Sequence, residues 1–345
     1  MAPSRERRLA RLGEELEESG LPLPAEHTGR DVLLDEIDHA LRPAIHERHV
    51  PSCGTIIDPR TAASTWPTGT QLQITHLAVT ETPPEHTRRF VDGLSSWLVR
   101  GVGHRDDEWL VFDRPAGSER DLVVLAEAFG AWIVQRHPAG AVRVVGDFGV
   151  LRWEGLRWDH APPVSTWLGA LGADRVEDPD GILEALLRLA VHDLGSLGIG
   201  ALLILRDGGD RSGLMEARLP TPPPLQVGRA SHLGPLRHAL SQVDGAAFFD
   251  ARGVLRHLGV ELVPHPDVER PMAAWRGTRH SAALRYSRDD PHAVVIVVSE
   301  DGPVTVFRAG AVVTPAAPPG PGTAGTDTAA SPHPDRLGSG ATGGR

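Results

Sequence analysis

Three short segments between residues 243 and 302 carry side chains that could act together on an anion. Val243-Asp244-Gly245-Ala246 sets a carboxylate at the start of a strand, followed by two residues too small to keep a ligand off the backbone. Gly277-Thr278-Arg279-His280-Ser281-Ala282-Ala283 reads as a glycine turn that opens a helix with a hydroxyl, a guanidinium and an imidazole. Free amides at a helix start, the positive end of the helix dipole and the forked donors of an arginine all favour a phosphate there. Val297-Val298-Ser299-Glu300-Asp301-Gly302 places polar residues where a buried strand runs out into a turn, and strand ends are where α/β folds hold ligands. Each segment alone has a plainer reading: a turn at Asp244-Gly245, a surface ion pair at Arg279, a hairpin tip at Glu300-Asp301-Gly302. Their combination points to phosphate chemistry.

Composition removes several alternatives. The 345 residues include 35 basic and 45 acidic side chains, for a formal net charge of -10, and neither lysine nor asparagine occurs. Without lysine there is no P-loop lysine, no Schiff base and no kinase-type strand lysine, so Gly146-Asp147-Phe148-Gly149 is a turn and not a kinase metal motif. The single cysteine, Cys53, excludes an intramolecular disulfide, a cysteine zinc site and a dithiol pair, and reads as a buried side chain in a reducing cytoplasm. His39, His46 and His49 lie on or near one helix but fit no standard zinc spacing, so they read as structural. Trp153 and Trp158 read as packing on a sheet. The acidic balance argues against broad nucleic-acid binding, which needs a basic face to displace counterions. No apolar run approaches the roughly 18 residues that span a bilayer, and the first residues lead into a charged helix, so a cytoplasmic protein without a membrane segment is expected.

The elements that must position these residues follow from periodicity. Residues 5–19 alternate Arg and Glu around Leu9, Leu12 and Leu16, a short amphipathic helix read as solvated, within an N-terminal helix and linker of residues 1–30. Residues 31–175 mix helical stretches (31–42, 85–100, 121–136) with strands (72–79, 109–112) and a hairpin of 142–145 and 150–158, an α+β domain without a catalytic signature. Asp178-Pro179-Asp180-Gly181 marks a turn and a helix start, and an apolar stripe at helical spacing covers 182–194. Within a domain of residues 181–313, the continuous apolar run 199–205 reads as a central strand and 206–213 as a loop. A helix at 230–241, strands at 245–249 and on to 263 around a turn at 250–253, a helix at 279–287 and strands at 293–298 and 303–308 complete an α/β sandwich, a mixed sheet flanked by helices. Residues 315–345 are Pro, Gly, Ala, Thr and Ser with almost no large apolar side chain, which cannot offset the entropy of ordering and reads as a disordered tail.

Gly200-Ala201-Leu202-Leu203, Asp244-Gly245-Ala246, Gly277-Thr278-Arg279-His280 and Val297-Val298-Ser299-Glu300, in this order and spacing, resemble the diadenylate cyclase (DAC) domain, the module that makes cyclic di-AMP. The resemblance covers about 181–313, less than half the chain. It implies that two ATP molecules, each held by one domain of a face-to-face pair, condense with loss of two pyrophosphates, with Mg²⁺ or Mn²⁺ and therefore in a homo-oligomer of at least two copies. By resemblance, Asp244 binds the metal or helps to deprotonate the 3'-hydroxyl, and Thr278, Arg279 and His280 hold phosphates and offset developing charge. Asp244, Arg279 and His280 form the implied catalytic set. Ser299 and Glu300 would bind the triphosphate or its metal, Gly277 and Ser281 complete the phosphate turn, Gly245 and Ala246 let the nucleotide lie on the backbone, and Leu262 and Val263 pack on adenine.

Two departures stand out. Ser281 occupies a position where many members carry a second arginine, and losing a charged hydrogen bond to phosphate costs about 1.5–3 kcal/mol unless Arg276 or Arg285 substitutes. Val243 stands where some relatives have histidine. Ser281 keeps a second reading open, a module that binds ATP or cyclic di-AMP as a sensor with little or no turnover. Residues 31–175 are expected to regulate, by sensing a ligand or by setting how two cyclase domains face each other. Neither membrane helices nor a C-terminal DNA-binding helical domain, both known in other diadenylate cyclases, is expected.

Overall fold

Ser4 starts the first helix by accepting the Arg7 amide on its hydroxyl, satisfying one of the donors a first turn leaves open. The computed structural model describes residues 4–43, 50–79, 84–102, 107–172, 180–206, 215–263, 277–300 and 303–315. Helix α1 (Arg5–Glu18) lays Leu12 and Leu16 against Leu33, Leu34 and Ile37 of α2 (His27–Leu41), all buried. This corrects the expectation of a solvated terminal helix. Arg8 ties the two helices through Asp38 at 2.8 Å. The charged face dominates the composition of α1, yet two leucines one turn apart are enough to seat it.

Strands β1 (Cys53–Ile57), β2 (Ile74–Ala78), β3 (Ser96–Arg100), β4 (Glu108–Phe112), β5 (Trp132–Arg136), β6 (Val142–Gly146), β7 (Gly149–Trp153) and β8 (Trp158–Ala161) form one sheet in the order β2-β4-β3-β1-β5-β6-β7-β8. Only β1 and β3 run parallel. Between the strands lie α3 (Trp66–Thr70), a single turn α4 (Pro84–Thr87) and α5 (Glu119–Phe129), and α6 (Val164–Leu171) follows β8. Alternation of side chains divides the strands between two cores. Val134, Val144 and Leu151 pack under α1 and α2, whereas Ile133, Val145 and Val150 pack under α5. Trp158 is buried and Trp153 half-buried, both on the α1–α2 face, as expected of sheet-packing residues.

Two expected helices are corrected. Residues 85–100 contain only α4, a short 3₁₀ turn at Arg88–Phe90 and then strand β3. Trp97, Leu98 and Val99 are all buried, so β3 shows a continuous apolar run with no period-two signal. Residues 121–136 break at Gly130, which closes α5 in a left-handed conformation (φ 58°) and turns the chain into β5. The run expected as one strand over 150–158 is β7 and the start of β8, and β1 was not expected at all.

The second sheet comprises β9 (Ala201–Leu205), β10 (Met215–Ala217), β11 (Ala246–Phe249), β12 (Leu255–Leu262), β13 (Val294–Val298), β14 (Thr305–Arg308) and β15 (Ala311–Val313), in the order β10-β12-β11-β9-β13-β14-β15. Strands β9 and β11 are parallel and the remaining pairs antiparallel. Helix α9 (Thr278–Asp289) covers one face through Ala283, Leu284 and Tyr286. The other face is covered by α8 (Ala230–Gln242) and by α7 (Ile182–Arg188), which continues through a π turn (Leu189–Leu194) and a 3₁₀ turn (Gly195–Leu197) into β9. One apolar cluster runs without a break from Leu122, Leu125 and Phe129 through Ile182, Leu186 and Leu194 to Leu203 and Ile296. Arg206 begins the expected loop and pairs with Asp290 at 2.6 Å, while residues 207–213 of that loop, the turn residues 178 and 179, His46, His49 and the tail beyond 315 lie outside the described residues. Among the described residues, no helix is long and apolar enough to cross a membrane, and no three His, Cys, Asp or Glu side chains are grouped as a metal site. Cys53 is buried, which pushes its thiol up to about 11.

Candidate active site

Four strand ends meet at one end of the second sheet. Ala246 opposite Leu202, Val298 opposite Ala201 and Ala246 opposite Val260 place the starts of β9 and β11 beside the finishes of β12 and β13. Asp244 therefore stands two residues before β11, Glu300 two residues after β13, and Gly198–Gly200 just before β9. Helix α9 delivers Arg279 from its first turn. Its guanidinium lies 3.0 Å from Glu300 and 3.5 Å from Asp244, bridging two carboxylates from separate elements. The three side chains line a recess of about 280 Å³, closed by Leu240, Ser241 and Gln242 at the end of α8.

Asp244 is fully exposed and Glu300 exposed, so both carboxylates are accessible to a ligand. Two hard oxygen donors beside a guanidinium suit Mg²⁺ or Mn²⁺, which bind through one or two carboxylates and complete their shells with phosphate oxygens and water. The arrangement offers a guanidinium to a phosphate and two accessible carboxylates of the kind that would hold a divalent cation.

The remaining expected residues divide. Gly277 precedes α9 with φ 97°, and Thr278 is exposed on the same first turn. His280 does not join the Asp244–Arg279–Glu300 set. Successive helical side chains diverge by about 100°, and Nε2 of His280 stands 3.3 Å from the Thr305 hydroxyl with its ring edge-on to Phe307. Burial lowers the pKa of His280. The Ser281 hydroxyl donates back to the Gly277 carbonyl at 3.2 Å, and Arg285 donates to the Ser281 carbonyl, so Arg285 is engaged one turn along the helix. Arg276, Asp301 and Gly302 lie outside the described residues. Ser299 is half-buried at the finish of β13. Gly245 needs its hydrogen for two reasons: φ is 104°, and a Cβ would come within 2.8 Å of the Gly259 backbone on β12. Ala246 is buried beneath α9, while Leu262 is half-buried and Val263 exposed at the finish of β12, beside the start of β11.

Gly200 contributes to the site by having no side chain. A Cβ there would overlap the Arg279 guanidinium and come within 2.9 Å of the Glu300 carboxylate. The signal was a lone glycine directly before an apolar strand, where close approach of another group is a standard cause. Because both clashing atoms end flexible side chains, Gly200→Ala is expected to leave stability within about 0.5 kcal/mol. It displaces the two charged heads, and a shift of this kind at a positioned group is expected to weaken binding of a phosphate ligand by about tenfold or more. Parallel thermal unfolding and titration with a nucleoside triphosphate check both halves of that expectation.

A second polar cluster lies where α5, β7 and the π turn meet. Glu119 is buried, accepts two hydrogen bonds from Arg152 at 2.6 Å and lies 2.9 Å from His192 Nδ1. Arg152 also donates to the Val191 carbonyl within the π turn, and Arg120 pairs with Asp193 at 2.6 Å. The cluster thus fastens the first sheet to the segment that leads into Gly198–Gly200. Nothing in the sequence pattern marks it, because Glu119 sits in a capping box of Ser118 and Asp121 that reads as a solvated helix start.

In comparisons with known families, residues 10–161 match the family described as "Probable sensor domain DACNK". Residues 188–312 match the family DAC, described as "DisA bacterial checkpoint controller nucleotide-binding". No curated protein matches the chain. Among solved structures, a hypothetical membrane spanning protein from Bacillus cereus is similar over 44% of this chain and 72% of that chain, at 20% identity and a TM-score of 0.32. A double mutant of DacA from Staphylococcus aureus is similar over 39% of this chain and 87% of that chain, at 20% identity and a TM-score of 0.26.

Proposed function

We propose that this chain, a member of the DAC nucleotide-binding family through its C-terminal half and of the DACNK family through its N-terminal half, is a diadenylate cyclase that condenses two ATP into cyclic di-AMP and two pyrophosphates. The observation that carries the reading is Arg279 between Asp244 and Glu300, three charges from separate elements gathered at one sheet end. In each half-reaction the 3'-oxygen of one ATP bonds to the α-phosphorus of the other, the α–β phosphoanhydride bond breaks, pyrophosphate leaves and the hydroxyl proton passes to a base. Asp244 and Glu300 would hold Mg²⁺ or Mn²⁺, which would supply positive charge to the triphosphate and lower the pKa of the attacking hydroxyl. Arg279 takes up charge developing on the transferred phosphate, and Gly277, Thr278, Ser281 and Ser299 line the triphosphate. His280 sets the start of α9 against β14 through Thr305. Gly245 and Ala246 bring the backbone of β11 close to the nucleotide, and Leu262 and Val263 flank adenine. One site holds one ATP, so activity requires two copies face to face. ATP as substrate assigns the reaction to the cytoplasm, and the N-terminal half acts on it through the Glu119 cluster.

Incubating the purified chain with ATP and Mn²⁺ or Mg²⁺ and analysing by mass spectrometry is expected to yield cyclic di-AMP. Saturable ATP binding without product under either metal overturns the cyclase reading. It would favour the second one, a nucleotide-binding module with a crippled site, for which Ser281 is the specific motive. Ser281→Arg separates the two: a gain of more than about tenfold marks the serine as the defect, the size of one charge-assisted contact to phosphate, and an unchanged rate marks it as tolerated.

A further inference from the structure

A row of polar side chains crosses the inner face of the first sheet where apolar ones would be expected. Gln135, Arg143, Arg152 and Asp159 are successive cross-strand partners on β5, β6, β7 and β8. Two residues along each strand on the same face, Ile133, Val145, Val150 and Ala161 belong to the buried core. Buried charge is tolerated when it is paired, and Glu119 pairs with Arg152 and His192. Arg143 is left over. Its nearest carboxylate oxygen, on Glu119, is 3.9 Å away. Among the described residues its hydrogen bonds go to two neutral oxygens, Gln135 Oε1 at 3.2 Å and the Gly117 carbonyl at 3.4 Å. Yet Arg143 is only 7% exposed. Burial lowers its pKa despite the attraction of Glu119, as it does for a cation short of counter-charge.

Arg143 and Arg152 both line a cleft of about 1170 Å³ between this end of the first sheet and the 3₁₀ turn that leads to β9. Three acids line its wall: Asp159 is held by Arg157 at 3.1 Å and Glu300 by Arg279, while Glu154, next to the β7 end, adds a negative charge that acts on Arg143 and Arg152 from a distance. Its apolar side comes from both halves of the chain. Leu156, in the turn between β7 and β8, is 94% exposed, and Leu197, on the 3₁₀ turn, is 53% exposed. Scattered exposed leucines need no explanation, but two lining one cleft that also holds an under-neutralised guanidinium form an amphipathic recess. Trp153 completes the wall.

We propose that this cleft is a second ligand site, which takes a small molecule with a phosphate or carboxylate group on an apolar body. Arg143 anchors the anionic group through its planar fork of donors, and Leu156 and Leu197 contact the apolar part. The cleft borders the active site at Glu300, but its anchor, Arg143, lies on the first sheet, and the proposal is tested by binding alone.

The probe is 1-naphthyl phosphate, titrated calorimetrically into the full chain and into the full chain carrying Arg279→Ala, which removes the phosphate anchor of the active site. Saturable binding is expected in both. Arg143→Gln and replacement of the probe by neutral 1-naphthol are each expected to weaken binding at least about tenfold, the loss of one charge-assisted contact. No binding up to millimolar probe, binding lost with Arg279→Ala, or affinities unchanged by Arg143→Gln or by naphthol, overturns the site. Should Arg143→Gln fail to fold, Leu156→Glu decides, because its exposed position makes no demand on the core and its charge repels the anion. Unchanged affinity in that variant overturns the proposal, and a fall of about tenfold supports it. A chain that binds the probe but makes no cyclic di-AMP loses the cyclase reading and keeps this site, and the converse result does the reverse.

Discussion

Asp244→Ala is expected to lower cyclic di-AMP formation by at least about 10²–10³-fold, the scale of removing a group that stabilises transition-state charge. The same change is expected to leave the unfolding transition where it is. Asp244 is fully exposed before β11 and, among the described residues, pairs with Arg279 at 3.5 Å, and surface pairs of this kind add little stability. Function and fold therefore separate cleanly at this position. Asp244→Asn sharpens the result, since it keeps the shape and hydrogen-bonding capacity and removes only the charge. Product measured by mass spectrometry, together with a thermal melt, checks the pair of outcomes. Product retained by both variants removes Asp244 from the mechanism.

Glu119→Gln is expected to destabilise the chain by about 3–5 kcal/mol, the range for breaking one partner out of a buried ion pair. The variant leaves Arg152 and Arg143 buried with no carboxylate between them. Burial alone would raise the Glu119 carboxyl, but the hydrogen bonds and charge of Arg152, with His192, outweigh it and hold the group at about 2. Since the folded chain binds this proton less readily than the unfolded one, the contribution is complete above the ordinary glutamate value of 4.5 and is lost as the pH falls toward about 2. That window corresponds to about 3 kcal/mol. Denaturant unfolding across pH 2–5 is expected to show the parent losing its advantage over Glu119→Gln stepwise toward acid. A constant difference between the two would mean that the carboxylate's charge does not carry the effect.

Much of the site is legible in the chain because its residues stand at starts and finishes of elements, where turn chemistry is loud. Asp244-Gly245 before an apolar strand, Gly277 before a helix and Ser299-Glu300 after Val294–Val298 all announce themselves this way. What periodicity does not reveal is direction. His280 follows Arg279 immediately, yet the helical turn sends it to Thr305 and Phe307. Strands β3 and β5 escape for a related reason: buried on both faces, their runs through Trp97 and Ile133 have no alternation to distinguish them from a buried helix. Arg143 and Arg152 are harder still. Each is a single arginine in an otherwise apolar or glycine-bearing strand, and what it pairs with is set by the position of α5, which the strand itself does not reveal.

The unbroken apolar cluster that links the two sheets has a consequence for how such chains can be rearranged. Ile182, Leu183, Leu186 and Leu187 on α7 are buried, and α7 packs on α6, from the other half, as well as leading into β9. A cut between residues 172 and 180 would leave that helix bare on one side, so the halves are not interchangeable cassettes. Exchanging the N-terminal half for one from another protein succeeds only if the donor brings a surface shaped for α7, with counter-charges for Arg188, His192 and Asp193. Sequences that diversify on this framework are thus constrained to change the rim of the first sheet and to keep its inner face, a pattern that recombination experiments can read directly.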